Sequence, residues 1–153
     1  GRPSIIVRVG LHSPKTSDVD VMLKLVIFMV EKAIEYAPEN IEDFAVIFDC
    51  TGFTVAQMDW TFVKEAISTL QNHYPERLGT LYVVNHPFVV NMTWKMVKPW
   101  LEPTTVDKIQ FCDINKLLQA FDRKHLPSRL GGTSNFESTD FILGLETLNP
   151  DYN

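Results

Sequence analysis

The residue types best suited to chemistry are Asp49, Cys50 and four histidines. Asp49 follows an apolar run at residues 44–48 (FAVIF) and stands three positions before Gly52. An acid in that place can serve a nucleotide only beside a glycine-rich phosphate cradle. The chain has no G-x-x-x-x-G-K-[ST] segment and no G-x-G-x-x-G segment. Asp49 therefore reads as a turn anchor or as the cap of the following helix. Cys50 lies beside a carboxylate at a strand end, a poor setting for a thiolate. No G-x-S-x-G elbow occurs, and Ser4, Ser13, Ser17 and Ser68 fall in turns, caps or a helix face. His12, His73, His86 and His125 are isolated, with no H-x-x-x-H or C-x-x-C spacing for a metal. His86, between Asn85 and Pro87, reads as a turn histidine bonded to backbone. We expect no enzyme, no cofactor and no metal.

Composition narrows the class further. A chain of 153 residues with 45% hydrophobic residues suits one globular domain with a sizeable core. The formal charge of −5, without a basic run, argues against nucleic acid as a partner. The longest apolar stretch, residues 19–30, is interrupted by Asp20 and Lys24, so no membrane span is expected. The N-terminus has no signal-peptide pattern, and the chain opens on Gly1 as a fragment of a longer chain would. Cys50 and Cys112 sit in apolar strand contexts and are expected as buried free thiols, which fits a reducing, cytoplasmic compartment. Asn91-Met92-Thr93 matches a glycosylation sequon, but nothing else points to secretion.

The elements that position these residues follow from periodicity. Apolar runs predict strands at residues 5–9, 44–48, 81–84 and 108–112, with a short edge strand at 126–130. Helical spacing predicts long helices at 18–36 and 54–74, the second opened by a Thr54–Gln57 capping box. A short helix is expected at 93–98, a chain break at Pro103-Thr104-Thr105, and a helix capped by Asp113 or Asn115 that runs to about residue 124. Alternating strands and helices indicate an α/β fold with a mostly parallel mixed sheet of about five strands. The two long helices can cover one sheet face. The other face is left to shorter, later elements, to another domain or to a ligand. Phe88, Trp94, Trp100, Phe111 and Phe121 gather in the second half. They serve equally as core or as the lining of a pocket for an apolar chain.

Several motifs in order add a family. Tyr74-Pro75-Glu76-Arg77-Leu78-Gly79, Tyr82-Val83-Val84-Asn85-His86-Pro87-Phe88 and Val97-Lys98-Pro99-Trp100-Leu101 are flanked by Phe48-Asp49-Cys50-Thr51-Gly52 and by Leu126-Pro127-Ser128-Arg129-Leu130-Gly131-Gly132. Together they resemble the CRAL-TRIO lipid-binding domain of phosphatidylinositol-transfer, tocopherol-transfer and retinaldehyde-binding proteins. The similarity covers residues 1–132 and leaves 133–153 as a tail that docks or hangs loosely. It starts at the family's Gly-Arg-Pro strand, so the helical N-terminal subdomain is expected to be absent.

The resemblance implies a hydrophobic pocket on the sheet face away from the long helices, closed by a gate helix. Ile47, Met58, Phe62, Tyr82, Val84, Phe88, Trp94, Val97 and Phe111 would line the pocket. Leu117, Leu118 and Phe121 would form the apolar side of the gate, at residues 114–124. Arg123, Lys124 and Arg129 would meet phospholipid headgroups, or serve only as cations at a helix C-terminus. The implied activity is binding and transfer, or sensing, of one phospholipid or other lipophilic molecule at a transiently visited membrane. The sequence Leu117-Leu118-Gln119 departs from phosphatidylinositol-binding members in having no lysine after the two leucines. The alternative reading is a protein-interaction module of a signalling protein with an empty pocket, its partner another protein or the missing helical subdomain.

Overall fold

A continuous apolar run near the N-terminus, Ile5-Ile6-Val7, forms β1 (Ser4–Arg8), which pairs in parallel with β2 (Phe44–Asp49), from Ser4 opposite Ala45 to Arg8 opposite Asp49. β2 pairs in parallel with β3 (Leu78–Val84), and β3 with β4 (Ile109–Phe111). The computed structural model describes residues 1–135 and the backbone of a two-residue strand, β5 (Leu145–Glu146), antiparallel to β1. The order is β4-β3-β2-β1-β5. The parallel part therefore has four strands. Residues 126–130, expected as a further edge strand, instead form a 3-10 turn over Ser128–Leu130 that ends at Gly131 with φ 77°. Pro127 explains the difference: it fixes φ and removes a ladder donor. Apart from β5, the expected tail lies outside the described residues.

α1 (Val19–Glu35) starts where Asp18 accepts a hydrogen bond from the Val21 N–H at 3.0 Å. It buries Met22, Met29, Val30 and Ala33, the last three packing with Ile5 and Phe44. The Thr54–Gln57 capping box forms, but on a 3-10 turn at Val55–Gln57. The long helix restarts as α2 (Trp60–His73), capped by Asp59. α3 (Phe88–Val97) begins earlier than residue 93, because Pro87 takes the N-cap position and pre-sets an extended entry. It continues into a 3-10 turn at Lys98–Trp100. The expected break at Pro103 is a single helical turn, α4 (Pro103–Val106), with proline at its first position. α5 (Ile114–Ala120) is capped by Asp113. It stops before residue 124 because Phe121 turns extended, at φ −127° and ψ 140°.

Strand order decides which face each helix covers. Four parallel strands in sequential order, joined by right-handed crossovers, place every crossover on one face. Here α1 packs on Ile5, Phe44 and Val46, and α3 on Val83 and Phe111 of that same face. Only chain after β4 remains for the opposite face. There Leu117 of α5, with Leu126 and Leu130, closes on Ile6, Ile47 and Val84, and all six are buried. Tyr82 and Phe121 seal its edge, ring edge to ring face, at 5.4 Å. The face expected to hold a pocket under α5 carries a buried side-chain cluster.

Candidate functional site

Incomplete coverage lies on the crossover face, beneath α2. This helix is held from several sides. It packs along α1, and Trp60 stands edge-on to Trp100 at 6.0 Å. The Gln71 side chain donates to the Trp100 carbonyl at 3.3 Å and accepts from the Glu102 N–H at 2.8 Å. At its N-terminal end the His12 ring lies 5.8 Å from Phe62, with Nε2 3.5 Å from Asp59. Yet no residue of α2 is fully buried: Phe62, Val63 and Ile67 are half-buried, and Leu70 packs on the cluster around Phe44. Among the described residues, neither Met58, Phe62, Val63 nor Ile67 packs on the cluster formed by Cys50, Val83 and Val90. Phe48, Leu81, Ile109 and Phe111 of the sheet are likewise only half-buried. β3 has a strand on either side, and such a strand is normally buried on both faces. α2 thus covers the sheet with an apolar band that is only partly buried, which leaves this face less tightly packed than the one under α5.

An open cavity of mixed polar and apolar lining lies at the carboxyl ends of β3 and β4. It has a volume of ≈ 580 Å³ and is lined by Asn85, His86, Phe111, Cys112, Asp113, Ile114 and Asn115. Phe111 belongs to this lining and to the half-buried sheet cluster, so its ring joins the cavity to the sheet face that α3 covers. The ring contacts Trp94 at 5.5 Å and His86 at 5.3 Å. No lysine or arginine lines the cavity.

Asp49 ties the strand ends together. It is 2% exposed. Its Oδ1 accepts from the Thr51 N–H, the Thr51 hydroxyl and Asn85 Nδ2, at 3.1, 2.7 and 3.0 Å. Its Oδ2 lies 3.4 Å from Arg129 Nε. Burial alone would raise its pKa. The bonds from Asn85 and Thr51 and the Arg129 charge outweigh burial and leave it below the ordinary carboxylate value. The turn-anchor role expected for Asp49 is therefore joined by a longer link to the Ser128–Leu130 turn. Asn85 has φ 52°, which asparagine tolerates better than most residues. Burial, helped by the Asp49 charge, pushes the Cys50 thiol up to about 12. Both cysteines are free and buried, in keeping with the composition.

The residues singled out for a pocket do not share one face. Ile47, Tyr82 and Val84 belong to the cluster under α5. Met58 and Phe62 lie at and just inside the start of α2, Trp94 touches Phe111, and Val97 ends α3 half-buried. Phe88 is 78% exposed. Leu117 is core, and Leu118 and Phe121 pack against it. Arg123 and Lys124 are exposed on a 3-10 turn rather than at a helix C-terminus. Arg129 instead turns inward to Asp49. Phe48, Leu81 and Asn85 had not been singled out from sequence. The Asn-x-Pro at the end of an apolar strand was the available signal for Asn85.

A family profile described as "CRAL/TRIO domain" matches residues 1–132. The phosphatidylinositol transfer protein CSR1 of Eremothecium gossypii is 29% identical over 144 residues, covering 94% of this chain and 33% of that protein. The SEC14 cytosolic factor of Candida glabrata is 29% identical over 167 residues, covering 98% of this chain and 55% of its own. The crystal structure of Sfh5 superposes with a TM-score of 0.72 at 24% identity, over 84% of this chain and 48% of that one, a likeness of fold. The chain thus spans about a third to a half of these relatives' length.

Proposed function

The chain belongs to the CRAL/TRIO domain family, and from that premise we propose that it binds one phospholipid or comparable lipophilic molecule and exchanges it with membranes. The observation that carries this reading is the clamped helix α2, whose apolar band is only partly buried over half-buried strands. Acyl chains would occupy the volume between α2, α3 and the sheet, bounded by Phe62, Phe48, Leu81 and Phe111. The headgroup would sit in the open cavity beside Asn85 and His86. Two relatives named for phosphatidylinositol transfer and for the SEC14 cytosolic factor support a phospholipid as the ligand.

The chemistry of the cavity narrows the headgroup. An additional phosphomonoester needs charge-assisted donors, and the lining offers amides, an imidazole and the Asp113 carboxylate instead. The ligand proposed is therefore a lipid without one. Exchange is favoured over trapping because each methylene gains about 0.8 kcal/mol on leaving water, and a bilayer offers nearly the same. α3 would face the bilayer: Phe88, Met92 and Met96 recur every four residues and are exposed, with Lys95 and Lys98 beside them. No described helix is long and apolar enough to cross a membrane, so the contact would be peripheral, at a cytoplasmic surface.

Native mass spectrometry of the purified chain, before and after incubation with mixed phospholipid vesicles, tests the reading. We expect one lipid per chain, without a phosphomonoester on its headgroup. A folded protein that stays empty after incubation overturns it.

A further inference from the structure

We propose that bilayer contact extends beyond α3, through Leu11 and Val55, so that three neighbouring turns at the carboxyl ends of β1, β2 and β3 meet the membrane together. The inference rests on the lipid-exchange reading above and adds a docking surface to it. Leu11 is 54% exposed and Val55 62% exposed, in the 3-10 turns that follow β1 and β2. Phe88 occupies the corresponding place after β3. Isolated exposed apolar residues are ordinary, but a contiguous group at one edge marks a contact surface.

The turns touch one another. A Cβ on Gly10 would lie 2.2 Å from the Thr51 carbonyl oxygen and 3.1 Å from the Phe53 nitrogen, so the first turn rests on the second. Asp49 accepts from Thr51 and from Asn85, which fastens the second to the third. Charge separates the bilayer from other occupants. Residues 9–17, 51–58 and 86–101 contain Lys15, Lys95 and Lys98 and no aspartate or glutamate, although the whole chain has 19 acids to 14 lysines and arginines. These lysine-bearing turns suit an anionic lipid surface, with Asp49 and Asp59 turned inward and the exposed acids Asp18, Glu102 and Asp113 just outside the turns. A second copy suits them less, because a two-fold contact would bring these lysines against their own images.

The test is co-sedimentation of the whole chain with phosphatidylcholine–phosphatidylserine vesicles and with pure phosphatidylcholine vesicles. The double variant Leu11→Ser/Val55→Ser is compared with Phe28→Ser, an equally exposed site on α1. We expect the double variant to bind on the order of tenfold more weakly, because both side chains lose apolar burial in the bilayer. Phe28→Ser is expected to bind as the parent does. Lys15→Gln should weaken binding about fivefold on the anionic vesicles alone. Circular dichroism and the loaded lipid, read by native mass spectrometry, should be unchanged in every variant. Unchanged binding by the double variant, or an equal loss in Phe28→Ser, overturns the proposal. So does a change in oligomeric state on mutating the two turns, which would assign them to self-association. A chain that never carries lipid but docks through these turns would sink the transfer reading and leave the docking surface standing.

Discussion

Phe121→Asp and Leu81→Trp, taken together, decide which face of the sheet is full. Phe121 is half-buried beside Leu117 and stacks edge-on with Tyr82. A fully buried phenylalanine costs about 3–5 kcal/mol to truncate, and an aromatic pair adds about 1 kcal/mol, so half burial gives roughly 3 kcal/mol here. For a chain of this size that lowers Tm by about 10 °C, within the reserve of a typical domain. Leu81 lies on the opposite face, half-buried against the cluster of Cys50, Val83 and Val90 on the crossover side. In a filled core the larger indole would cost about 1–3 kcal/mol through overpacking. In open volume it should cost less than that and take the place of ligand. The assay is calorimetry on delipidated protein, since bound lipid would itself raise Tm, followed by native mass spectrometry after vesicle incubation. We expect Phe121→Asp to melt early yet load lipid when folded, and Leu81→Trp to melt near the parent and stay largely empty. The reverse pattern, a stable but empty Phe121→Asp and an unstable Leu81→Trp, would move the volume under α5 and refute the reasoning.

Two further perturbations follow from the hydrogen bonds. Asp49→Asn removes the charge facing Arg129 and should cost roughly 3 kcal/mol at neutral pH, as breaking a buried pair does. Asp49's folded pKa is lowered from 3.8, so its charge stabilises the fold above that value and the stabilisation is lost as pH falls through the folded pKa. Urea melts should therefore show the gap between parent and variant closing below about pH 4; a gap that stays constant with pH would rule out the charge as the cause. Gln71→Ala frees α2 from the turn at Trp100–Glu102 by removing both hydrogen bonds. It should cost about 1–2 kcal/mol and speed the transfer of a fluorescent phospholipid between vesicles. A lower Tm with an unchanged transfer rate would show that α2 does not gate the exit.

What could be read from the sequence depended on whether the signal was local. The apolar runs of β1 to β4 each involve residues a few positions apart and appear where expected, and of the two candidate caps for the helix after β4, Asp113 is the one used. The start of α2 was placed too early, at the Thr54–Gln57 box, because a second cap stands five residues on. Thr54 closes a 3-10 turn and Asp59 starts the helix, so neither signal was false. The looser packing beneath α2 was not legible. Met58, Phe62, Val63 and Ile67 have the same spacing whether they pack on a sheet or line a space above it. The distance between helix and sheet is set by the clamps at Trp100, Glu102 and His12, which come from other parts of the chain. Strand order adds the missing step. Sequential parallel strands put three crossovers on one face and leave the other to whatever follows β4. Seven residues of α5 and the turns after it cover that second face, because Leu117, Leu126 and Leu130 all point inward. Arg129 illustrates the same limit. In sequence it joins a basic cluster with Arg123 and Lys124. In the fold its guanidinium faces a carboxylate on β2, and that pairing withdraws it from the surface its neighbours occupy.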